Sequence, residues 1–312
     1  MGAQPHDTTA PAGTVTFDLA LPAPLDVPAS LERLRRWGDD LLDRWDGQTL
    51  IRTTTWQGAT VPYAAAAIGT LERPRLRVTV RAARERPAVA DALRALFLMP
   101  EGDALAALAA SDPAVARLVR AYPGVRGLRQ TDGLASLVRA ISAQQVNLTW
   151  AATTRRRLAE LLGVRHTVAA HAVYALDAAR LARATVAELR ALQFTTRKAE
   201  YLITVAQGVA AGSLDLAALA AAPDADVIAR LVAVRGLGRW TAEWYLARTL
   251  GRPVVVAGDL GVRKAVGAMY LGGAMPSEPR VRELTAHWGA AAAVAQELAL
   301  HALGQRFNFA AG

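Results

Sequence analysis

A chain of 312 residues is longer than a single hydrophobic core usually grows, so more than one domain is expected. The absence of cysteine excludes disulfides, thiolate zinc sites and iron–sulfur clusters, and five scattered histidines without an HExxH pairing speak against a histidine metal centre. The net charge of +9 is carried by the later part: residues 1–100 hold 12 Arg against 11 acidic residues, whereas residues 101–312 hold 24 Arg plus Lys against 16. That second part is the candidate for binding a polyanion.

The opening MGAQPHDTTAPAG has neither a basic n-region nor an apolar h-region, and no apolar run approaches the roughly 18 residues of a membrane span. A cytoplasmic protein without membrane contact is expected, with residues 1–13 disordered. Period-two alternation then predicts strands around Val15–Ala20, Thr49–Trp56, Val61–Gly69 and Leu76–Arg81. Helical patterns run from Pro28 to about Leu42 and from Pro87 to Leu98. The order β-α-β-β-β-α over residues 14–100 predicts a small α+β domain, an antiparallel sheet with two helices on one face.

From about Glu101 the composition turns to Ala, Leu and Arg at helical spacing, broken by short turns at Tyr122-Pro123-Gly124, Gly163 to Thr167, Gly212-Ser213, Pro223-Asp224, Arg235 to Gly238, Gly251 to Pro253 and Gly272 to Pro276. Residues 101–312 are therefore expected to form an all-α domain of about ten helices. The triple run Arg155-Arg156-Arg157 reads as a solvated helix face.

The stretch from Asp224 to Arg263 carries the most chemistry. Asp224 is a candidate N-cap for a helix with Val227, Ile228, Leu231 and Val232 on one face. Gly236-Leu237-Gly238 then makes a tight turn into a second helix starting at Arg239. Backbone amides at the positive end of that helix can receive a phosphate without touching a base. The commoner use of Gly-x-Gly between helices is an ordinary turn. Here it is followed by Gly251-Arg252-Pro253, the apolar run Val254-Val255-Val256, and Asp259, which can cap the helix from Leu260 to Tyr270 and also sit near a bound phosphodiester.

These residues resemble the helix-hairpin-helix (HhH-GPD) glycosylase superfamily, in which a glycine hairpin is followed about twenty residues later by an essential aspartate. LVAVRGLGRWTAEWYLARTLGRPVVVAGDLGVRK matches over its length, with Arg235 where the pattern usually has proline. LVRAISAQQVNLTWAATTRRRLAELLG and FTTRKAEYL, together with the α+β first domain, are similar to the DNA-3-methyladenine glycosylase II type. The resemblance implies that Asp259 is the catalytic carboxylate, and that Trp240 and Trp244 wall a base pocket with Tyr245 in the core. It implies DNA contacts by Gly236, Leu237, Gly238 and Arg239, and a wedge at Gln145 beside Gln144 that fills the hole left by a flipped base. It implies a monovalent Na+ or K+ ion on the carbonyls of Val232, Val234 and Leu237, with no other cofactor.

Where lyases of the superfamily carry a nucleophilic lysine, this chain has Trp240, and its two lysines, Lys198 and Lys264, stand elsewhere. The implied activity is therefore monofunctional: hydrolysis of the N-glycosidic bond of an alkylated purine in damaged double-stranded DNA, leaving an abasic site, by a monomer associated with the nucleoid. Two alternatives stay open. One is a non-enzymatic DNA-binding module, against which a carboxylate beside the phosphates argues. The other is a glycosylase/lyase using Lys264. After Trp288 the chain reads GAAAAVAQELALHAL in place of the family's further aromatics and Arg-Ser pair, so the lesion range does not carry over.

Overall fold

The computed structural model describes residues 13–309; the disorder expected for residues 1–13 concerns, apart from Gly13, residues outside that range. Strand β1 (Val15–Ala20) is followed by α1 (Val27–Arg36), β2 (Arg44–Trp45), β3 (Thr49–Trp56), β4 (Ala59–Ala67), β5 (Arg75–Val80) and α2 (Arg86–Leu96). The antiparallel sheet runs in the order β1-β5-β4-β3-β2. Helix α1 starts where Asp26 accepts the Ala29 N–H at 2.9 Å, with proline in its first turn. It stops well before Leu42, because Gly38 turns the chain at φ +105° and Asp39 and Asp40 then cap the amides of Leu41 and Leu42.

Alternation along the strands decides what each sheet face meets. Leu50 and Ala65, paired across β3 and β4, face Leu31 of α1 and Leu93 of α2 in one buried core. Their neighbours Ile51 and Ala64 point the other way, into a second cluster with Val168 and Val173. Those two valines come from a hairpin, β6 (Val164–Val168) and β7 (His171–Ala175), inside the part expected to be helical throughout. Its two five-residue strands lie where only a turn from Gly163 to Thr167 was expected, and they close the sheet face that the helices leave open.

The remaining helices are α3 (Ala104–Ser111), α4 (Pro113–Ala121), α5 (Gly133–Ala143), α6 (Leu148–Leu162), α7 (Ala178–Ala182), α8 (Val186–Ala191), α9 (Thr196–Ala210), α10 (Leu216–Ala221), α11 (Asp224–Val232), α12 (Arg239–Tyr245), α13 (Leu260–Tyr270), α14 (Glu278–Thr285) and α15 (Ala292–Gly304). They divide into two cores. Leu137, Ile141, Leu202, Leu231 and Tyr245 belong to one built from α5 to α12, whereas Leu118, Val266, Trp288 and Leu298 belong to one built from α3, α4 and α13 to α15. The segment after Tyr245 crosses from the first core, which holds Leu246, to the second, which holds Ala257. Asp259 stands at the end of that crossing. No helix among the described residues is long and apolar enough to cross a membrane.

The sheet domain meets the helices through buried charge. Asp40 Oδ2 accepts from Arg139 of α5 and from Arg155 of α6, both at 2.8 Å, and Asp43 pairs with Arg139 at 2.9 Å and with Arg52 of β3. Burial pushes the Asp40 carboxyl up, but Arg139 and Arg155 outweigh it and hold the group down at about 2. The solvated face expected for Arg155 to Arg157 is therefore corrected in part. Arg155 is buried, while Arg156 pairs with Glu160 in solvent and Arg157 lies 5.5 Å over the ring of Trp150. On the other flank, Glu297 of α15 binds Arg33 of α1 and Arg248.

Candidate nucleic-acid interface and carboxylate site

The hairpin forms as expected from α11 and α12, with one correction at its start. Pro223 occupies the N-cap position, and Asp224 is the first helical residue, accepting from Arg252 at 2.7 Å. The acidic side chain thus complements the helix dipole and ties down Arg252, seven residues beyond the end of α12. Val227 and Leu231 are buried, whereas Val232, expected on the same face, is 46% exposed at the hairpin tip.

The two hairpin glycines have different reasons to be glycine. Gly236 has φ +95°, and a Cβ there would stand 2.2 Å from Cγ of Tyr201, so both backbone and packing require its absence. At Gly238 φ is −95° and a Cβ would meet nothing within 4 Å. The protein itself therefore tolerates a side chain at Gly238; what the glycine leaves clear is the outer approach to the backbone. Leu237, 3% exposed, anchors the turn between them. Among the described residues no side chain caps α12, whose first amides lack the intrahelical partners that later turns have.

Asp259 caps α13 as expected, its Oδ1 accepting the Val262 N–H at 3.0 Å. Its Oδ2 accepts Nε1 of Trp240 from α12 at 3.1 Å. Both carboxylate oxygens are held, one by each of the helices that flank the crossing. The turn carrying Asp259 is fixed from below: its N–H donates to the Val256 carbonyl at 2.9 Å, and the Val256 N–H donates to Oε1 of Gln296, a buried residue of α15, at 2.7 Å.

Trp240 is half-buried with its ring edge on the carboxylate, Trp244 is half-buried one turn further on, and Tyr245 is buried in the core. Arg239, expected to be free for phosphate, already pairs with Glu243 at 2.8 Å, although its side chain remains 62% exposed. Glu243 was not singled out from sequence. It is 2% exposed and also takes Arg282 of α14 at 2.8 Å, which in turn reaches Glu278 at 2.6 Å. The Arg239/Glu243 spacing of four residues was its only local signal.

The loop after α5 joins the same surface. Gln144 donates from Nε2 to the Gly236 carbonyl at 3.3 Å, linking loop and hairpin. Gln145 beside it is exposed with φ +53°, a conformation a non-glycine residue keeps only where its surroundings impose it. Of the hairpin carbonyls expected to bind a cation, that of Val234 accepts the Leu237 N–H at 3.0 Å. Lys198 is buried with Nζ on the Ser142 carbonyl at 2.8 Å, and desolvation lowers its pKa; Lys264 is exposed on α13.

Residues 138–290 match the HhH-GPD superfamily of base excision DNA repair proteins. A DNA-3-methyladenine glycosylase of Bacillus subtilis is 26% identical over 184 residues, 58% of this chain and 60% of that protein. DNA-3-methyladenine glycosylase 2 of Escherichia coli is 33% identical over 135 residues, 43% of this chain and 47% of that one. The matches thus span about half to three-fifths of those relatives' length. A 3-methyladenine DNA-glycosylase from Archaeoglobus fulgidus has the same fold, with a TM-score of 0.82 at 23% identity, covering 93% of this chain and 99% of the other.

Proposed function

We propose, since this chain belongs through residues 138–290 to the HhH-GPD superfamily of base excision DNA repair proteins, that it is a monofunctional DNA glycosylase which extrudes an alkylated purine and hydrolyses its N-glycosidic bond. The observation that carries the reading is the carboxylate of Asp259, held at both oxygens by Val262 and by Trp240 of the hairpin's second helix, whose N-terminus no side chain caps among the described residues. As the C1′–N bond breaks, electrons leave with the base and positive charge develops on the deoxyribose. A fixed carboxylate stabilises that charge and orients the water whose oxygen adds to C1′ and whose proton it can accept. An alkylated purine is already cationic and leaves easily, so extrusion and one carboxylate suffice. Lys264 follows Asp259 by five residues, about 140° around the axis of α13, which favours hydrolysis over attack by an amine. The carbonyls of Val232, Val234 and Leu237 would hold a monovalent cation, with one lone pair of Val234 left for it.

Two variants test the DNA and base contacts separately. Gly238→Val fits the free protein, since nothing lies near the added Cβ, so its melting temperature should change little. Its affinity should fall for damaged and undamaged duplex alike, because the side chain blocks backbone approach to phosphate; a loss confined to damaged DNA would contradict that role. If Trp244 stacks on the extruded base, Trp244→Ala should slow excision of 3-methyladenine more than that of neutral hypoxanthine. Cation–π attraction adds about 0.5–2 kcal/mol at such sites, so the extra loss should be a few-fold to about thirtyfold in single-turnover rate. Equal losses on both bases with a lowered melting temperature would make Trp244 a packing residue and remove the support for alkylated purines.

A further inference from the structure

The cluster of buried charge between the sheet domain and the helices does more than close a seam. Asp40 is 2% exposed and immobilised through Oδ1, which accepts the amides of Leu42 and Asp43 at 3.2 and 3.3 Å. Its Oδ2 accepts Nε of Arg155 at 2.8 Å, and Arg155, 5% exposed, passes a second hydrogen bond from NH1 to Oγ of Ser142 at 3.0 Å. Ser142 lies in the last turn of α5. Its Oγ donates to the Arg139 carbonyl at 2.9 Å, and its own carbonyl accepts from Lys198. Two buried cations thus converge on the C-terminal turn of α5, Lys198 on the Ser142 carbonyl and Arg155 on its hydroxyl, where the helix dipole favours positive charge. Three residues further on stands Gln145, exposed and left-handed.

We infer that the sheet domain sets the conformation of the loop at Gln144 and Gln145 through the relay Asp40, Arg155 and Ser142, so that Asp40 and Arg155 are positioning residues for base extrusion. The inference rests on the glycosylase reading above. Stability alone is a poor reason for such a relay, because well-packed apolar residues replace buried ion pairs at little or no loss. The seam already packs Leu41 and Leu42 of the sheet domain against Ala159 of α6. What charge adds is direction. The relay fixes the loop from upstream, Gln144 ties it sideways to Gly236, and Asn147 caps α6 downstream by accepting the Trp150 N–H at 2.7 Å. A side chain that must hold a gap open in a base stack needs such a fixed base, and the left-handed backbone at Gln145 would otherwise relax.

The test compares Ser142→Ala, which deletes the acceptor of Arg155 together with the hydroxyl's bond to the Arg139 carbonyl, with Asp40→Asn, which keeps the shape of the side chain and weakens its pairing. Extrusion is read from the brightening of 2-aminopurine in duplex DNA, which needs no bond cleavage. Excision is read on one methylated purine placed either in a paired site or in a single-base bulge, where the base is largely unstacked. Both variants should reduce brightening at saturating protein and slow excision from the paired site about tenfold, the worth of one hydrogen bond. Excision from the bulge should change less than about twofold. Combined with Gln145→Ala, neither should add a further loss, since both act through that side chain. Equal slowing on paired and bulged substrates, unchanged brightening, or additive losses would each overturn the relay. Wild-type brightening without release of base from either substrate would instead overturn the glycosylase reading, leaving the brightening of the variants to decide the relay.

Discussion

Asp259→Asn is expected to lower single-turnover excision at least about a hundredfold, the usual scale for removing one preorganised electrostatic contact from a developing charge, while duplex binding stays equal or tightens. The fold should survive, because asparagine caps a helix as well as aspartate does and can still accept the Val262 N–H. What disappears is the negative charge, which the cationic sugar needs and which the phosphates of bound DNA would repel. Excision must therefore fall without any loss of affinity. Excision within about tenfold of the wild type would remove Asp259 from the chemistry, and weaker binding would mean that the substitution had damaged the site.

Trp240→Phe should give the second large effect, and it separates two roles that one residue could have. The variant keeps a smaller aromatic face and loses the Nε1 donor, whose hydrogen bond to Asp259 measures 3.1 Å. Hydrogen bonds to charged groups contribute about 1.5–3 kcal/mol, so a carboxylate released to rotate should cost about tenfold to a hundredfold in rate. Because the loss acts through Asp259, it should be the same for cationic and neutral lesions, in contrast to Trp244→Ala. An unchanged rate, or a loss confined to alkylated bases, would show that Trp240 serves as pocket wall alone.

Local signals were legible in the sequence, and long-range ones were not. The strands Val15–Ala20 and Thr49–Trp56 stand where period-two alternation put them, and Asp259 caps α13 as its place before Leu260 suggested. Glycine chemistry, capping and periodicity each act over a few residues, so they leave their mark in a short window. The strands β6 and β7 escaped because five residues beside Gly163 also read as a turn, and their apolar face is explained only by Ile51 and Ala64, far away in sequence. Gln296 lies 40 residues from Val256, and Asp40 lies 115 from Arg155. Neither could be recognised until the fold had brought the partners together. Asp224 was misassigned by one position, since proline at an N-cap leaves no side-chain signal to find. Arg155 was misread because a run of three arginines looks like a solvated face when helical rotation, which sends one of the three into the seam, is ignored.

The central claim is that this chain hydrolyses a glycosidic bond and stops there. Its most direct test is the product analysis of purified protein incubated with duplex DNA carrying a single 3-methyladenine, with free base and strand length followed in the same reaction. Free 3-methyladenine together with an intact strand that breaks only on later alkaline treatment, and no covalent adduct on adding borohydride, is the predicted result. Strand cleavage without alkali accompanied by borohydride trapping would contradict hydrolysis, and binding without release of any base would contradict the assignment of an enzyme.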